Sequence, residues 1–343
     1  MTRNPLIRNA SLRASKHSEL IGQKAGARDG HVVGVDIGGS NLRVALADMR
    51  GNVLGKWSAS TKRSSSPAAV IKQICAGVNY LLHRNSLPYD SLRAIAAGAP
   101  GVTDADAGVV IATSYLKGWC DVPLRNLLES TLQVPASIEN DVRVAAIGEK
   151  WRGSARGVRD FAFLAIGTGI AAGIFVNGQI VHGKNWAAGE VGYMLVPGTP
   201  EAAAKPGMPG SLESVIGGEG IKSQWTRALN GNRDSLPRNL NATELFDYAL
   251  TGNVLAKGVL DRSARILAYA VYNISLVLNC SLFVLGGGVG SSSSLMEATR
   301  RVLRSYNEPV RPKLTLSALG QDAQLIGTIR LALDTAASRT LRK

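Results

Sequence analysis

Two stretches of this chain, more than a hundred residues apart, follow one pattern. "VVGVDIGGSNLRVAL" (32–46) and "FAFLAIGTGIAAGIFVNGQIV" (161–181) each read as an apolar strand, a glycine turn and a second apolar strand. The glycine turns are Gly38-Gly39-Ser40 and Gly167-Thr168-Gly169. A further turn, "MRGN" or "VNGQ", carries the Asn and Gly that hairpins favour and leads to a third strand. Such a recurrence predicts a duplicated αβ domain with a cleft between its halves.

The first unit raises an electrostatic question. Asp36 ends a buried-looking strand, where an acid costs desolvation unless a cation or hydrogen-bond donors meet it. Gly38 and Gly39 let the backbone turn sharply and approach a ligand, and Ser40 and Asn41 add a hydroxyl and an amide. Read alone, the same residues also suit a tight hairpin with an incidental acid.

Between the units the pattern predicts a helix around 67–84, a strand in "LRAIAAGAPG" and a loop through Trp119. "VPASIENDVRVAAIGEKWRG" reads as a short strand running into a helix that starts at Asn140 and Asp141. Polar residues there either cap the helix or serve chemistry. Further on, "CSLFVLGGGVGSSSSLMEATRRVL" is a buried strand, three glycines (Gly286, Gly287, Gly288), a serine-rich cap and a helix. A plain turn needs one glycine; three at a strand–helix junction suit a ligand lying on backbone N–H groups.

With 343 residues, 45% of them hydrophobic, the chain has enough apolar surface for two cores. No apolar run reaches membrane-span length. Residues 1–30 hold six Lys or Arg against Glu19 and Asp29 and lack a signal-peptide core, so they read as a flexible basic extension. Cys75, Cys120 and Cys280 form no Cys-x-x-Cys, which argues against a disulfide framework or a structural zinc and for a reducing cytoplasm. The net charge of +14 suits an anionic ligand such as a nucleotide. Nucleic acid is disfavoured, because only 5% of residues are aromatic and none alternate with basic ones.

Seven motifs occur in one order: "GVDIGGSNLRVAL", "GAPGVTD", "ENDVRVAAIGE", "AIGTGIAAGIFVNGQIVHG", "AAGEVGYM", "GSLESVIGG" and "LGGGVG", followed by "QDAQLIGTIRLAL". In this order they resemble the ROK family (repressors, open reading frames and kinases), within the actin-like sugar kinases. The resemblance implies two actin-like (ribonuclease H-like) α/β domains closing on sugar and ATP. Their expected extents are 31–138 plus 322–343 for the smaller one and 139–321 for the larger. It also implies ATP-dependent phosphorylation of a hexose hydroxyl, glucokinase-like, giving a hexose 6-phosphate, in a cytoplasmic homodimer. Alternatives within the family are an N-acetylhexosamine or fructose kinase. From other classes come a sugar-sensing regulator, for whose winged DNA-binding region thirty residues are too few, and a non-catalytic sugar binder.

By the same resemblance Asp141 is the general base, and Gly98, Pro100, Gly101, Asn140, Glu190, Tyr193 and Glu213 meet the sugar. Asp36 would anchor magnesium through water, with Gly38, Gly39, Ser40, Asn41, Gly167, Thr168 and Gly169 at the phosphates and Gly286, Gly287 and Gly288 at the nucleoside. Two departures stand out. Family members usually place a histidine where this chain has Tyr193, followed by a zinc-binding cysteine cluster. Here no cysteine lies between Leu195 and Glu213, and Pro197, Pro200, Pro206 and Pro209 stiffen the loop instead, so no zinc is expected. Tyr115 stands near where relatives place an asparagine, and both tyrosines either stack on the sugar or fill space; Tyr193 is expected to point towards it.

Overall fold

Seven consecutive buried residues form β1 (His31–Ile37), the pattern of a strand covered on both faces. It is the centre of the first sheet in a computed structural model that describes residues 30–62, 65–201, 208–230, 236–307 and 310–340. β2 (Asn41–Asp48) returns antiparallel to β1, and β3 (Val53–Ser60) alternates partly buried with exposed residues as a half-covered edge. Helix α1 (Pro67–Arg84) begins where Ser66 caps the backbone N–H of Ala69 and proline opens the first turn. β4 (Leu92–Ala99) then runs parallel to β1.

A small antiparallel sheet of β5 (Val102–Asp104), β6 (Val109–Ala112) and β7 (Cys120–Val122) follows. Helix α2 (Leu124–Leu132) leads from it to β8 (Ala136–Asn140), and the first sheet has the order β3-β2-β1-β4-β8. Helix α3 (Asp141–Arg152) carries the chain to the second sheet.

That sheet is built from β9 (Phe161–Ile166), β10 (Ile170–Val176) and β11 (Gln179–Ile180). After the helices α4 (Glu213–Ile216), α5 (Gly218–Leu229), α6 (Ala242–Leu250) and α7 (Val254–Leu278) come β12 (Leu282–Gly286), the single turn α8 (Gly287–Gly290), α9 (Ser293–Leu303) and β13 (Lys313–Leu316). Its order, β11-β10-β9-β12-β13, repeats that of the first sheet, antiparallel and parallel pairs alike. The expected duplication is therefore a duplication of topology. Asn177 and Gly178 both have positive φ, 53° and 78°, the two-residue hairpin turn that Asn-Gly favours.

The last helix, α10 (Ala323–Thr340), returns to the first sheet. Leu325, Ile329 and Ala332 cover Val32, Ala45, Ala94 and Ala96, while α1 residues such as Ile74 and Val78 cover Val33, Val35 and Ile37 on the other face. The alternation follows the two-residue period of a strand. Helix α3 lies between α10 and the second sheet. A Cβ on Gly327 would stand 1.7 Å from the Val144 carbonyl oxygen, and one on Gly148 2.4 Å from that of Ala323. On its other side, a Cβ on Gly173 of β10 would meet that of Ala146 at 2.5 Å. The first residue of α3 is thus held in the angle between the sheets. Among the described residues no helix is long and apolar enough to cross a membrane. Residues 1–29 of the basic extension, and Pro206, lie outside the described residues.

Candidate active site

Asn140 and Asp141 stand where β8 becomes α3. Asn140 is the N-cap: its Oδ1 accepts the backbone N–H groups of Val142 at 2.9 Å and Arg143 at 3.1 Å. Its Nδ2 donates to the Gly101 carbonyl at 2.9 Å, so the cap also ties the "GAPG" loop to the helix. Asp141 Oδ1 accepts the Val142 N–H at 2.9 Å, and Asp141 lines the cleft. Burial, joined by the negative charges of Asp36 and Glu190, pushes its carboxyl up to about 7. A carboxylate with that affinity for a proton is suited to general-base work near neutral pH.

The cation that the sequence demanded for Asp36 is Arg43. Strand register places the two residues opposite each other, and the guanidinium donates to Asp36 Oδ2. Burial still holds the Asp36 carboxyl above its usual range, with Arg43 opposing.

A cavity of about 300 Å³ opens above Asp141. It brings together Gly38, Gly39, Pro100, Gly101, Asn140, Asp141, Gly167, Thr168, Gly169, Glu190, Glu213 and Gly287 of the predicted residues, and Tyr115. Glu213 Oε2 accepts the Ile170 N–H at 3.1 Å, which fixes this carboxylate to the start of β10. Gly189, with φ 96°, lets its loop press on Ala172, whose N–H donates to the Gly189 carbonyl, and so places Glu190. Burial raises the pKa of Glu190 and of Glu213, and Tyr115 is raised by burial and by the charges of Glu213, Asp141 and Glu190. Three carboxylates and no Lys or Arg line this cavity among the described residues. It suits a neutral ligand rich in hydroxyl groups and repels an anionic one.

A second cavity, about 800 Å³, adjoins the first and shares Gly167 and Thr168 with it. Gly288 and Gly218 lie on its wall with Lys222, Asn239, Asn241 and Thr243. Thr243 donates to the Gly288 carbonyl at 3.1 Å, and Gly218 N–H donates to that of Gly167 at 2.8 Å.

Six predicted residues line neither cavity: Asp36, Ser40, Asn41, Gly98, Tyr193 and Gly286. Asp36 lies close enough to raise the Asp141 pKa. Ser40 and Asn41 are exposed at the first hairpin, where the Asn41 carbonyl accepts the Gly38 N–H at 2.9 Å. Gly98 and Gly286 permit close packing, on Val144 and on the Phe163 ring. Tyr193 is 48% exposed, at the end of the short turn 191–193 that follows Glu190.

Among the described residues no group of three or more His, Cys, Asp or Glu stands ready to hold a metal. Magnesium needs less: one or two carboxylates, with water and substrate phosphates completing its shell. Asp36 fits that role, since its side-chain hydrogen bonds use Oδ2 and none is made by Oδ1 among the described residues.

Residues 32–335 match the model of the ROK family. The chain belongs to the ROK family. A glucokinase from Halalkalibacterium halodurans is 30% identical over 306 residues, 86% of this chain and 92% of that protein. An N-acetylmannosamine kinase from Salmonella typhi is 27% identical, with 87% of this chain and 97% of that protein covered. The crystal structure of a ROK hexokinase from Thermus thermophilus superposes with a TM-score of 0.72 at 28% identity, covering 91% of this chain and all of that one.

For this ROK protein, sequence reasoning missed a cluster built on a buried ion pair beside Asn140 and Asp141. Glu139, Arg143, His182 and Trp186 interact there, although the first two flank Asn140-Asp141 in the sequence. An Arg among the apolar residues of a helix start was the available signal. Lys222, Asn239 and Thr243 had none, because they come from separate elements that only the fold assembles.

Proposed function

We propose that this ROK protein is an ATP-dependent sugar kinase of glucokinase type, which phosphorylates a neutral hexose. The carrying observation is the pair of adjoining cavities that share Gly167 and Thr168, with Asp141 on the floor of the smaller one. A sugar in the smaller cavity and a nucleotide in the larger would meet across that turn. Glu190, Glu213 and the "GAPG" loop would orient the sugar hydroxyls.

Asp141 takes the proton of the attacking hydroxyl. The freed oxygen bonds to the γ-phosphorus as the bond from that phosphorus to the bridging oxygen breaks, and ADP leaves with that bond's electron pair. Magnesium, when bound, neutralises phosphate charge; Asp36 is the residue that would hold it, through water. Closing the halves excludes water from the transfer; we assign the first to 31–140 with 322–343, two residues beyond the expected 138 because β8 pairs with β4 through Asn140, and the second to 141–321. By the family resemblance we also propose a homodimer working in the cytoplasm.

A 2-acetamido sugar is the second reading, favoured by the likeness to the N-acetylmannosamine kinase. Measuring ADP release with a panel of hexoses, hexosamines and N-acetylhexosamines distinguishes the two. ADP release with glucose or mannose is expected; release with no sugar of the panel sinks the kinase reading.

A further inference from the structure

We propose that Arg143 is a positioning residue for the sugar wall: held by Glu139, it fixes the loop 182–190 and presents its charge to Glu190. The inference rests on the sugar-kinase reading.

Arg143 is 2% exposed and Glu139 4%, so their pair is fully withdrawn from water. Arg143 Nη1 donates to Glu139 Oε1 at 2.8 Å, and Nη2 donates to the Trp186 carbonyl. The other oxygen of Glu139 lies 2.6 Å from His182 Nε2, and the His182 ring packs on that of Trp186 with centroids 4.8 Å apart. Trp186 has φ 61°, in the left-handed region that a bulky residue enters only under constraint. The loop leading to Glu190 is therefore held in a costly conformation from two sides, and both holds converge on Glu139.

A buried ion pair contributes little net stability over an apolar pair of the same shape, so stability alone does not explain this one. Nor is it saturated. Arg143 Nε is buried and has no hydrogen-bond partner among the described residues, a departure that native interiors seldom contain. Burial, with the Glu213 charge, holds the Glu190 carboxyl above its usual range, and the guanidinium that grips the loop before it opposes that shift. An ionised Glu190 accepts two hydroxyl hydrogen bonds, whereas a protonated one spends an oxygen as donor. Because Arg143 lies two residues after Asp141, one turn of α3 carries both the base and the group that sets the opposite wall.

The test is a double-mutant cycle read as sugar affinity and as KM for each substrate. Arg143→Met should raise the sugar Kd and KM about tenfold or more while the ATP KM stays within about twofold. In a Glu190→Gln background the same change should cost at least about threefold less than in the wild type, because the charge on Glu190 is gone and only the hold on the loop remains to be lost. Arg143→Lys, which keeps the charge without the fork, should recover part of the loss. Equal losses for both substrates, or a full-sized sugar effect in the Glu190→Gln background, would mark a purely structural ion pair and overturn the proposal. Should Arg143→Met not fold, Arg143→Lys and Glu139→Gln replace it, and wild-type sugar affinity in both overturns it equally. Wild-type enzyme that releases no ADP with any hexose fails the sugar-kinase reading instead, while the affinity cycle still reports on Arg143.

Discussion

Arg43 spends two donors on one oxygen of Asp36: Nε at 2.8 Å and Nη2 at 2.7 Å both reach Oδ2. Its remaining nitrogen, Nη1, donates to the Gln321 carbonyl just before α10. The pairing resolves how an acid survives at the end of a buried strand, and it does so without occupying Oδ1. A buried carboxylate with one oxygen in reserve can still order water around a metal–phosphate complex.

Asp36→Asn keeps the shape and an acceptor for Arg43 but removes the charge. It should lower kcat at least about a hundredfold while sugar affinity changes less than about threefold. Titrating magnesium against initial rate checks it; a wild-type rate and magnesium requirement would remove Asp36 from the phosphate side.

Asp141, pushed up to about 7, sets a pH dependence of two kinds. Its protonated form cannot accept a proton, so kcat/KM should fall with unit slope below about pH 7. Stability runs the other way. Between the ordinary value of 3.8 and about 7 the folded state keeps a proton that the unfolded state has lost, so stability declines as pH rises through that window. Asp141→Asn removes this cost and should melt higher than wild type at pH 8 by an amount on the order of 1–4 kcal/mol, with the gap closing towards pH 4. Calorimetry at the two pH values and a rate profile across them read both effects, and a variant of normal turnover would leave Asp141 as a helix-start residue only.

Tyr115 lines the smaller cavity, the proposed sugar site, whereas Tyr193 lines neither cavity. Tyr115→Ala should therefore weaken sugar binding more than Tyr193→Ala does. Tyr193→Phe should cost no more than one hydrogen bond, roughly 0.5–1.5 kcal/mol. Titration calorimetry on the three variants is sufficient, and a larger loss at Tyr193 would reverse the assignment.

Gly327 and Gly288 make a contrasting pair. Alanine at 327 would drive a methyl into the Val144 carbonyl and force α10 from α3, costing about 1–3 kcal/mol or more. At 288 a Cβ meets nothing within 4 Å, so Gly288→Ala should melt like wild type yet raise the ATP KM. If Gly327→Ala were as stable as wild type, the two helices would have more room than their contact implies.

How far the sequence could be read follows from which signals are local. Strand, turn and helix start at 32–60 and 136–152 are written in two-residue alternation, Asn-Gly chemistry and a cap, all of which act over a few residues. Glycine is ambiguous because one absent side chain serves either a ligand or a neighbour. Gly38 and Gly288 face cavities, whereas Gly98 and Gly286 admit Val144 and Phe163. The partner of Asp36 lay seven residues away but needed strand register to be recognised. Arg143 and Trp186 meet across 43 positions, and nothing local to either announces the other.

The return of α10 to the first sheet has a consequence for how the chain is made. Val32, Ala45, Ala94 and Ala96 emerge from the ribosome early, but the residues that cover them, Leu325 to Ala332, come more than two hundred positions later. One face of the first sheet therefore stays open through most of synthesis, while the second sheet and its helices can assemble from nearly contiguous chain. In translation, the half that is made first is the half completed last, and a nascent chain halted before residue 323 would expose this apolar face to chaperones.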